Sequence, residues 1–384
     1  MNFLVESDLG STMISEEGFR NLQVPQADCG NRLARAILPE HLKHATERQP
    51  GAFRTSKEPR MLSVRVLIHA VTAILAMAAC FSAAAQDYPV RPVRMIYFYT
   101  GGGVSDLLAR VAAQKLGENL GQTVIVESKP GAGGLIGIRE ALRSQPLGYT
   151  ILFSTTSLIG NLHAYRDPQY KLDDFTPIGV IGEIPFTMII HDSVPAKNLA
   201  QFIAYAKANP DKLNYGSIGP SAGGTILSER LKAAAGIEMV QIPFKGGEPA
   251  SVALYAGNIH VYFATLGVAR LRMKNPKILG LAVTSSKRTQ AFPDIPSFRE
   301  LGYPGMDMGT WHAMFIASAA PRPIIQRLQV GMRFATSSPE LKAQLAKNDE
   351  EPWLGTLEEF AAKMKEESAN MASDYKRLNL PVQD

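Results

Sequence analysis

Two glycine-rich stretches, Thr100-Gly101-Gly102-Gly103-Val104-Ser105-Asp106 and Lys129-Pro130-Gly131-Ala132-Gly133-Gly134, each follow an apolar run of strand character and each open a run of helical spacing. Glycines let the backbone approach a ligand closely, and the first free N–H groups of a helix, with its dipole, favour negative charge there. The arrangement is therefore a seat for a carboxylate or a phosphate. No Lys-Ser or Lys-Thr follows the last glycine of either loop, and neither fits G-x-G-x-x-G cleanly, so a nucleotide is not implied.

Working outward, the residues around both loops alternate strand and helix with short connections. Val93 to Tyr99 is apolar and aromatic, and Ser105 to Leu116 carries Leu108, Val111, Ala112 and Leu116 at helical spacing, with Ser105 or Asp106 as N-cap. Gly121 ends that helix. Thr123 to Val126, Leu135 to Leu142 and Tyr149 to Phe153 complete a βαβαβ unit, hence a parallel sheet covered by helices. The same grammar restarts after the apolar run Phe186 to Ile190. It gives a helix over Leu199 to Lys207, a strand over Leu213 to Gly216, a helix stopping at Gly236, strands near Met239, Ile259 and Ile278, and a helix ending at Ala256. A Pro-rich segment from Phe292 to Gly305 leads to a strand over His312 to Ile316 and then to helical patterns through Tyr375. About three hundred residues exceed one comfortable core. Two α/β lobes with a ligand crevice at the carboxyl ends of the strands is the economical architecture.

Ahead of this region, Met61-Leu62-Ser63-Val64-Arg65 precedes an apolar stretch from Val66 to Phe81 and then Ala83-Ala84-Ala85 before Gln86. A basic start, an apolar centre shorter than a membrane span and a small-residue cleavage site read as a secretory signal peptide over residues 61–85. Residues 1–60 lack apolar periodicity and read as a non-native or disordered upstream extension, with Met61 as the initiator. Cys80 offers lipoprotein cleavage as an alternative. The other cysteine, Cys29, lies in the extension, so a chain starting at Gln86 has neither a disulfide nor a cysteine nucleophile.

Without the 9 Lys+Arg and 8 Asp+Glu of residues 1–85, the net charge falls from +5 to +4. The longest basic cluster, Lys287-Arg288, is short and stands at a strand end, so a nucleic-acid partner is not expected. His163, His191, His260 and His312 show no paired zinc spacing, and neither a metal nor a cofactor is called for. Gly219-Pro220-Ser221-Ala222-Gly223 matches the G-x-S-x-G nucleophile turn, which keeps a serine hydrolase using Ser221, with Asp307 and His312, as an alternative. Asp106 reads as a helix cap or as the partner of a ligand amine. Trp311 reads as core.

From about Tyr88 to the C-terminus the chain resembles the Bug-type, or TctC-like, solute-binding receptors of tripartite tricarboxylate transporters. The resemblance rests on Tyr88-Pro89-Val90-Arg91-Pro92-Val93-Arg94, Gly102 to Arg110, Asn119-Leu120-Gly121-Gln122 and Glu127 to Gly134. It continues through Gly148-Tyr149-Thr150, Asp174-Phe175, Val194-Pro195-Ala196-Lys197, Pro243-Phe244-Lys245-Gly246 and Ala282-Val283-Thr284-Ser285 with Lys287-Arg288, in family order. It implies a two-lobed type II periplasmic-binding-protein fold that closes on a small organic anion without catalysis. Residues 86–190 with 309–384 would form one lobe and 191–308 the other. The implied role is a periplasmic, monomeric receptor that delivers its ligand to a membrane permease; a sensor that passes closure to a signalling partner is the alternative.

Carried over residue by residue, the family's ligand groups fall on Gly102, Gly103, Ser105 and Asp106 in the first loop, and on Gly133 and Gly134 in the second. Thr155, Thr156 and Ser157 follow the third strand, and the opposite lobe supplies Ser217, Ser221, Gly223, Gly224, Thr225 and Lys245. Thr100 stands where the family usually has Pro, Ile226 where it often has His, and His260 and Ala264 where Asp is common, which leaves the identity of the anion open.

Overall fold

The computed structural model describes residues 88–384. The expected signal peptide and upstream extension, with Cys80, lie outside the described residues. In chain order the elements are β1 (Val93–Tyr97), α1 (Val104–Leu120), β2 (Val124–Ser128), α2 (Leu135–Arg143), β3 (Thr150–Ser154), α3 (Ser157–Ala164) and β4 (Phe175–His191). There follow α4 (Leu199–Ala208), β5 (Asn214–Ser217), α5 (Gly223–Ala235), β6 (Val240–Pro243), α6 (Gly247–Tyr255), β7 (Val261–Thr265), α7 (Leu266–Arg272) and β8 (Ile278–Val283). The chain closes with β9 (Gly309–Ala317), α8 (Arg322–Ser337), α9 (Pro339–Lys347), β10 (Glu351–Pro352) and α10 (Leu357–Arg377).

The strands run in the order β2-β1-β3-β9-β4-β7-β5-β6, with β8 and β10 also paired to β4. β2, β1 and β3 are parallel, as the βαβαβ reading requires, and β9 and β4 then run antiparallel. β6 and β5 form a second parallel set, joined through β7 to β4. Apolar residues of β1 such as Met95 and Ile96 are fully buried because helices cover the sheet, which is why the strand reads as an apolar run. Gly121 and Gly236 adopt φ of 71° and 62°, each capping its helix with an N–H bonded to the carbonyl four residues back, a conformation that favours glycine.

One strand serves both sheets. Phe175 to Pro185 of β4 pairs with β9, whereas Phe186 to His191 pairs with β7 and β8. The sheets therefore exchange partners between Pro185 and Phe186. Thr284 sits at that exchange: its hydroxyl accepts from Phe186 N at 2.8 Å and donates to Met308 O at 2.5 Å, tying the outgoing strand to the returning one.

Three apolar cores follow from this division. The largest lies in the first lobe and includes Phe153, Phe315 and Phe360 around Trp311, whose ring packs edge-on to Phe360 with centroids 5.0 Å apart. The indole N–H donates to Glu367 Oε2 at 2.9 Å, so Trp311 is a core residue with its one polar group satisfied. In the second lobe, Phe202, Tyr215, Phe263 and Phe298 pack on one face and Ile189, Leu254 and Ile259 on the other. The C-terminal helix α10 opens with a capping box between Thr356 and Glu359 and buries Phe360, Met364, Met371 and Tyr375. It also joins the lobes, because Tyr375 donates to Pro220 O at 2.8 Å and Asp374 pairs with Arg230 of α5.

Candidate functional site

The N-termini of α1, α3, α5 and α6 converge on one cavity of about 100 Å³. The first N–H groups of each helix have no acceptor within it, so the four ends supply a field favourable to an anion. From the first lobe the wall contains Thr100, Gly103, Val104, Ser105, Thr155, Thr156 and Ser157, with Tyr97, Tyr99, Thr310 and His312. The second lobe adds Phe186, Ala222, Gly223, Gly224, Thr225, Gly247, Glu248, Ser251 and Tyr262.

Hydroxyls dominate its polar chemistry. Tyr99 Oη lies 2.7 Å from Ser157 Oγ, and Thr156 Oγ1 lies 3.1 Å from Thr310 Oγ1. Burial raises the phenols of Tyr97, Tyr99 and Tyr262, which keeps them protonated and able to donate. Among the described residues, no Lys or Arg lines the wall. The one carboxylate that does, Glu248, pairs with Arg272, whose guanidinium also lies 5.2 Å from the centre of the Tyr255 ring. An anion here would be held by dipoles and hydroxyls, and Glu248 is already neutralised by its own cation.

His312 joins this wall from β9. Its Nδ1 lies 2.8 Å from Glu350 Oε1 and its Nε2 3.1 Å from Ser105 Oγ, with both His312 and Glu350 almost fully buried.

The lobes meet around the cavity. Thr100 Oγ1 donates to Lys245 O at 3.0 Å, Ser221 Oγ donates to Asn161 Oδ1 at 2.5 Å, and Gly219 lies so close to Gly133 that an added Cβ would stand 2.7 Å from its Cα.

The sequence pattern of the "Tripartite tricarboxylate transporter family receptor", TctC, matches residues 108–380. A UPF0065 protein of Bordetella pertussis is 34% identical over 75% of this chain and 89% of its own length. The structure of the periplasmic binding protein BugD superposes with a TM-score of 0.73 at 30% identity, covering 77% of this chain and 99% of that one. R. palustris Rpa4515, solved with adipate, superposes with a TM-score of 0.72 at 27% identity over 77% and 99% of the two chains. The chain belongs to the TctC receptor family. It is a solute-binding protein of the Bug type and not an enzyme, and it has the two-lobed fold of the periplasmic binding proteins.

For this TctC receptor, eight of the residues singled out from sequence line the cavity: Gly103, Ser105, Thr155, Thr156, Ser157, Gly223, Gly224 and Thr225. The others stand outside its wall for physical reasons. Gly102 donates its N–H to Asp106 Oδ2 at 2.9 Å, and the same oxygen accepts from Arg110 Nε at 3.0 Å. The expected N-cap is corrected: Gly103 caps α1, and Asp106, three residues in, reaches back to the loop. Gly133 and Gly134 serve packing, since a Cβ on Gly134 would enter the Phe98 ring. Ser217 Oγ is taken up by Thr225 Oγ1 at 2.7 Å and by Gln241 Nε2 at 2.8 Å. Lys245 is exposed and meets the first lobe through its carbonyl.

The hydrolase alternative is overturned by family membership and by the geometry. Ser221 bonds Asn161, Asp307 pairs with Arg299, and His312 faces Ser105 and Glu350. Sequence reasoning did not place Tyr97, Tyr99, Phe186, Glu248, Thr310 or His312 in the wall. Tyr97, Tyr99 and Phe186 read as strand and core. Only their position near strand ends facing the glycine loops could have shown them.

Proposed function

We propose that this receptor captures a small carboxylate between its lobes and delivers it to the membrane permease of a tripartite tricarboxylate transporter. In this reading the signal peptide beginning near Met61 exports the chain, Gln86 is its first mature residue, and the receptor works as a monomer in the periplasm. Residues 88–185 with 309–384 form one lobe and 186–308 the other, the boundary lying at the partner exchange rather than after Ile190, and closure bends the chain about Pro185 and Phe186. The ligand contacts are the loops that reach the cavity, above all Gly103, Ser105, Thr155 to Ser157 and Gly223 to Thr225.

The observation that carries this reading is the convergence of four helix N-termini, two from each lobe, on a hydroxyl-rich cavity with no Lys or Arg among the described residues of its wall. Such a site favours an anion without the desolvation cost of a buried cation, and it is complete only when both lobes contribute. That a relative of the same fold was solved with adipate makes a dicarboxylate a suitable first probe. A thermal-shift screen against mono-, di- and tricarboxylates and amino acids tests it, because a ligand bound only by the folded state must raise Tm. A saturable rise with one acid is expected; no rise across the panel would sink the proposal.

A further inference from the structure

The Ser105–His312–Glu350 chain fixes the direction in which the cavity can donate a hydrogen bond. Ser105 and His312 line the wall; Glu350 stands behind the imidazole, and its second oxygen, Oε2, is buried without a partner among the described residues. A serine hydroxyl has one hydrogen to give, an ionised carboxylate can only accept, and a neutral imidazole has one N–H. With Glu350 ionised and His312 neutral, the imidazole hydrogen must sit on Nδ1, facing Oε1 at 2.8 Å. Nε2 is then a lone pair and takes the Ser105 hydrogen across 3.1 Å. Ser105 presents only lone pairs to the cavity, which repel a carboxylate.

One more proton on the pair reverses the chain. Nε2 then carries a hydrogen and donates to Ser105 Oγ, and the serine hydrogen is free for an anion. The outcome is the same whether the added proton resides on His312 or on Glu350 Oε1, where it faces Nδ1, because both arrangements place a hydrogen on Nε2.

We propose that this receptor takes up its carboxylate ligand together with one proton from solvent, held on the His312–Glu350 pair and relayed to the ligand as a hydrogen bond from Ser105. His312 and Glu350 are thus positioning residues acting through Ser105. This rests on the carboxylate reading given above. The groups around the pair leave it this role. Tyr97 on β1, beside Ser105, has its phenol raised by burial and remains neutral. On α1, Asp106 is engaged by Arg110; on β4, Glu183 is paired with Lys363 of α10. Asp349 is bound by Arg270 of α7, Glu351 on β10 is exposed, and across the cavity Glu248 is bound by Arg272. Each of these carboxylates except the exposed Glu351 thus has its own cation, whereas the buried Glu350 relies on His312.

The test is calorimetric titration of the purified chain with adipate, between about pH 7 and about pH 8.5, where free carboxylic acids are ionised. Buffers of different ionisation heat report the protons exchanged. The expected result is uptake of about one proton per adipate, with affinity falling by up to about tenfold per pH unit as pH rises. In Glu350→Gln the side-chain amide can donate to Nδ1, which leaves the imidazole hydrogen on Nε2 with no added proton; binding should persist and proton uptake vanish. If that variant does not fold, nitrogen NMR of His312 in the unaltered chain should show Nε2 gaining a hydrogen as adipate binds.

Adipate binding without proton uptake overturns the inference and leaves the receptor reading intact. Uptake that survives in Glu350→Gln also overturns it, since the proton is then held by another group. Failure of every carboxylate in the panel to bind at any pH overturns the receptor reading, and this inference with it.

Discussion

Arg230 of α5 and Asp374 of α10 form a two-nitrogen ion pair between the lobes, with Nε at 3.1 Å and Nη2 at 2.5 Å from Oδ2. Both side chains are largely buried, and Asp374 Oδ1 also accepts from Arg377 at 3.0 Å. Removing Arg230 leaves the buried Asp374 with only the exposed Arg377 as counter-charge, and removing Asp374 strands Arg230, whereas removing both members does neither. Arg230→Met should destabilise the protein by about 3 kcal/mol, and combining it with Asp374→Leu should recover part of that loss. Chemical denaturation of the two single variants and the double variant measures this; additive losses would show that the pair is not coupled.

Gly103 and Gly134 should respond oppositely to a side chain. A Cβ on Gly103 meets nothing within 4 Å and its φ is −87°, so Gly103→Leu should cost no more than about 1 kcal/mol of stability, as a poorer N-cap, while its side chain enters the cavity. Affinity for a bound carboxylate should fall at least about tenfold, or about 1.4 kcal/mol. Gly134 has φ of 96° and faces the Phe98 ring, so Gly134→Ala should cost about 2 kcal/mol of stability. Thermal melts and titration calorimetry on both variants separate the two effects.

His163 and His260 should make the fold sensitive to mild acid. Burial lowers both imidazoles below their ordinary value of 6.5, with Ser368 opposing the shift at His163 and His191 adding to it at His260. The unfolded chain therefore binds protons that the folded chain resists. The contribution is fully present above pH 6.5 and is lost as pH falls through that value toward the lowered folded ones. Tm should drop between about pH 7 and about pH 5.5, and the drop should shrink in His163→Gln with His260→Gln. An undiminished drop would assign it to other groups.

Ser221→Ala removes a hydroxyl that spans the lobes to Asn161 and touches no catalytic base. It should weaken ligand binding by about fivefold, the worth of about 1 kcal/mol of closed-form hydrogen bonding. Equilibrium titration of the variant decides, and an unaltered affinity would remove this contact from the closure.

The alternating halves of the fold were legible because each helix is short, amphipathic or glycine-stopped, and Gly121 and Gly236 mark their helix ends as read. β4 was legible only in its second half. Its first half holds Pro177, Gly179, Gly182 and Pro185, residues that read as breakers, and the strand absorbs three of them at register shifts near Pro177 to Gly179 and Val180 to Gly182. α3 was missed because its eight residues are mostly buried, so no polar stripe marks a helical period.

The site divides in the same way. Loops with glycine or paired hydroxyls announce backbone chemistry locally, and eight such residues reach the wall. His312 depends on Glu350 and Ser105, residues 38 and 207 positions away. A solitary histidine carries no local signal for such a partnership, because tertiary packing alone creates it.

The shared strand β4 also limits how this chain can change its length. Side chains in a strand alternate faces with a period of two, so inserting or deleting one residue between Pro185 and Phe186 would turn every following side chain of β4 to the wrong face of the second sheet. Met188 and Ile190, which feed one core of that lobe, would trade places with Ile189, which feeds the other. Gaps and additions are therefore excluded from the middle of β4, and divergence in what the receptor accepts must come from loops whose length is free or from substitution at fixed length.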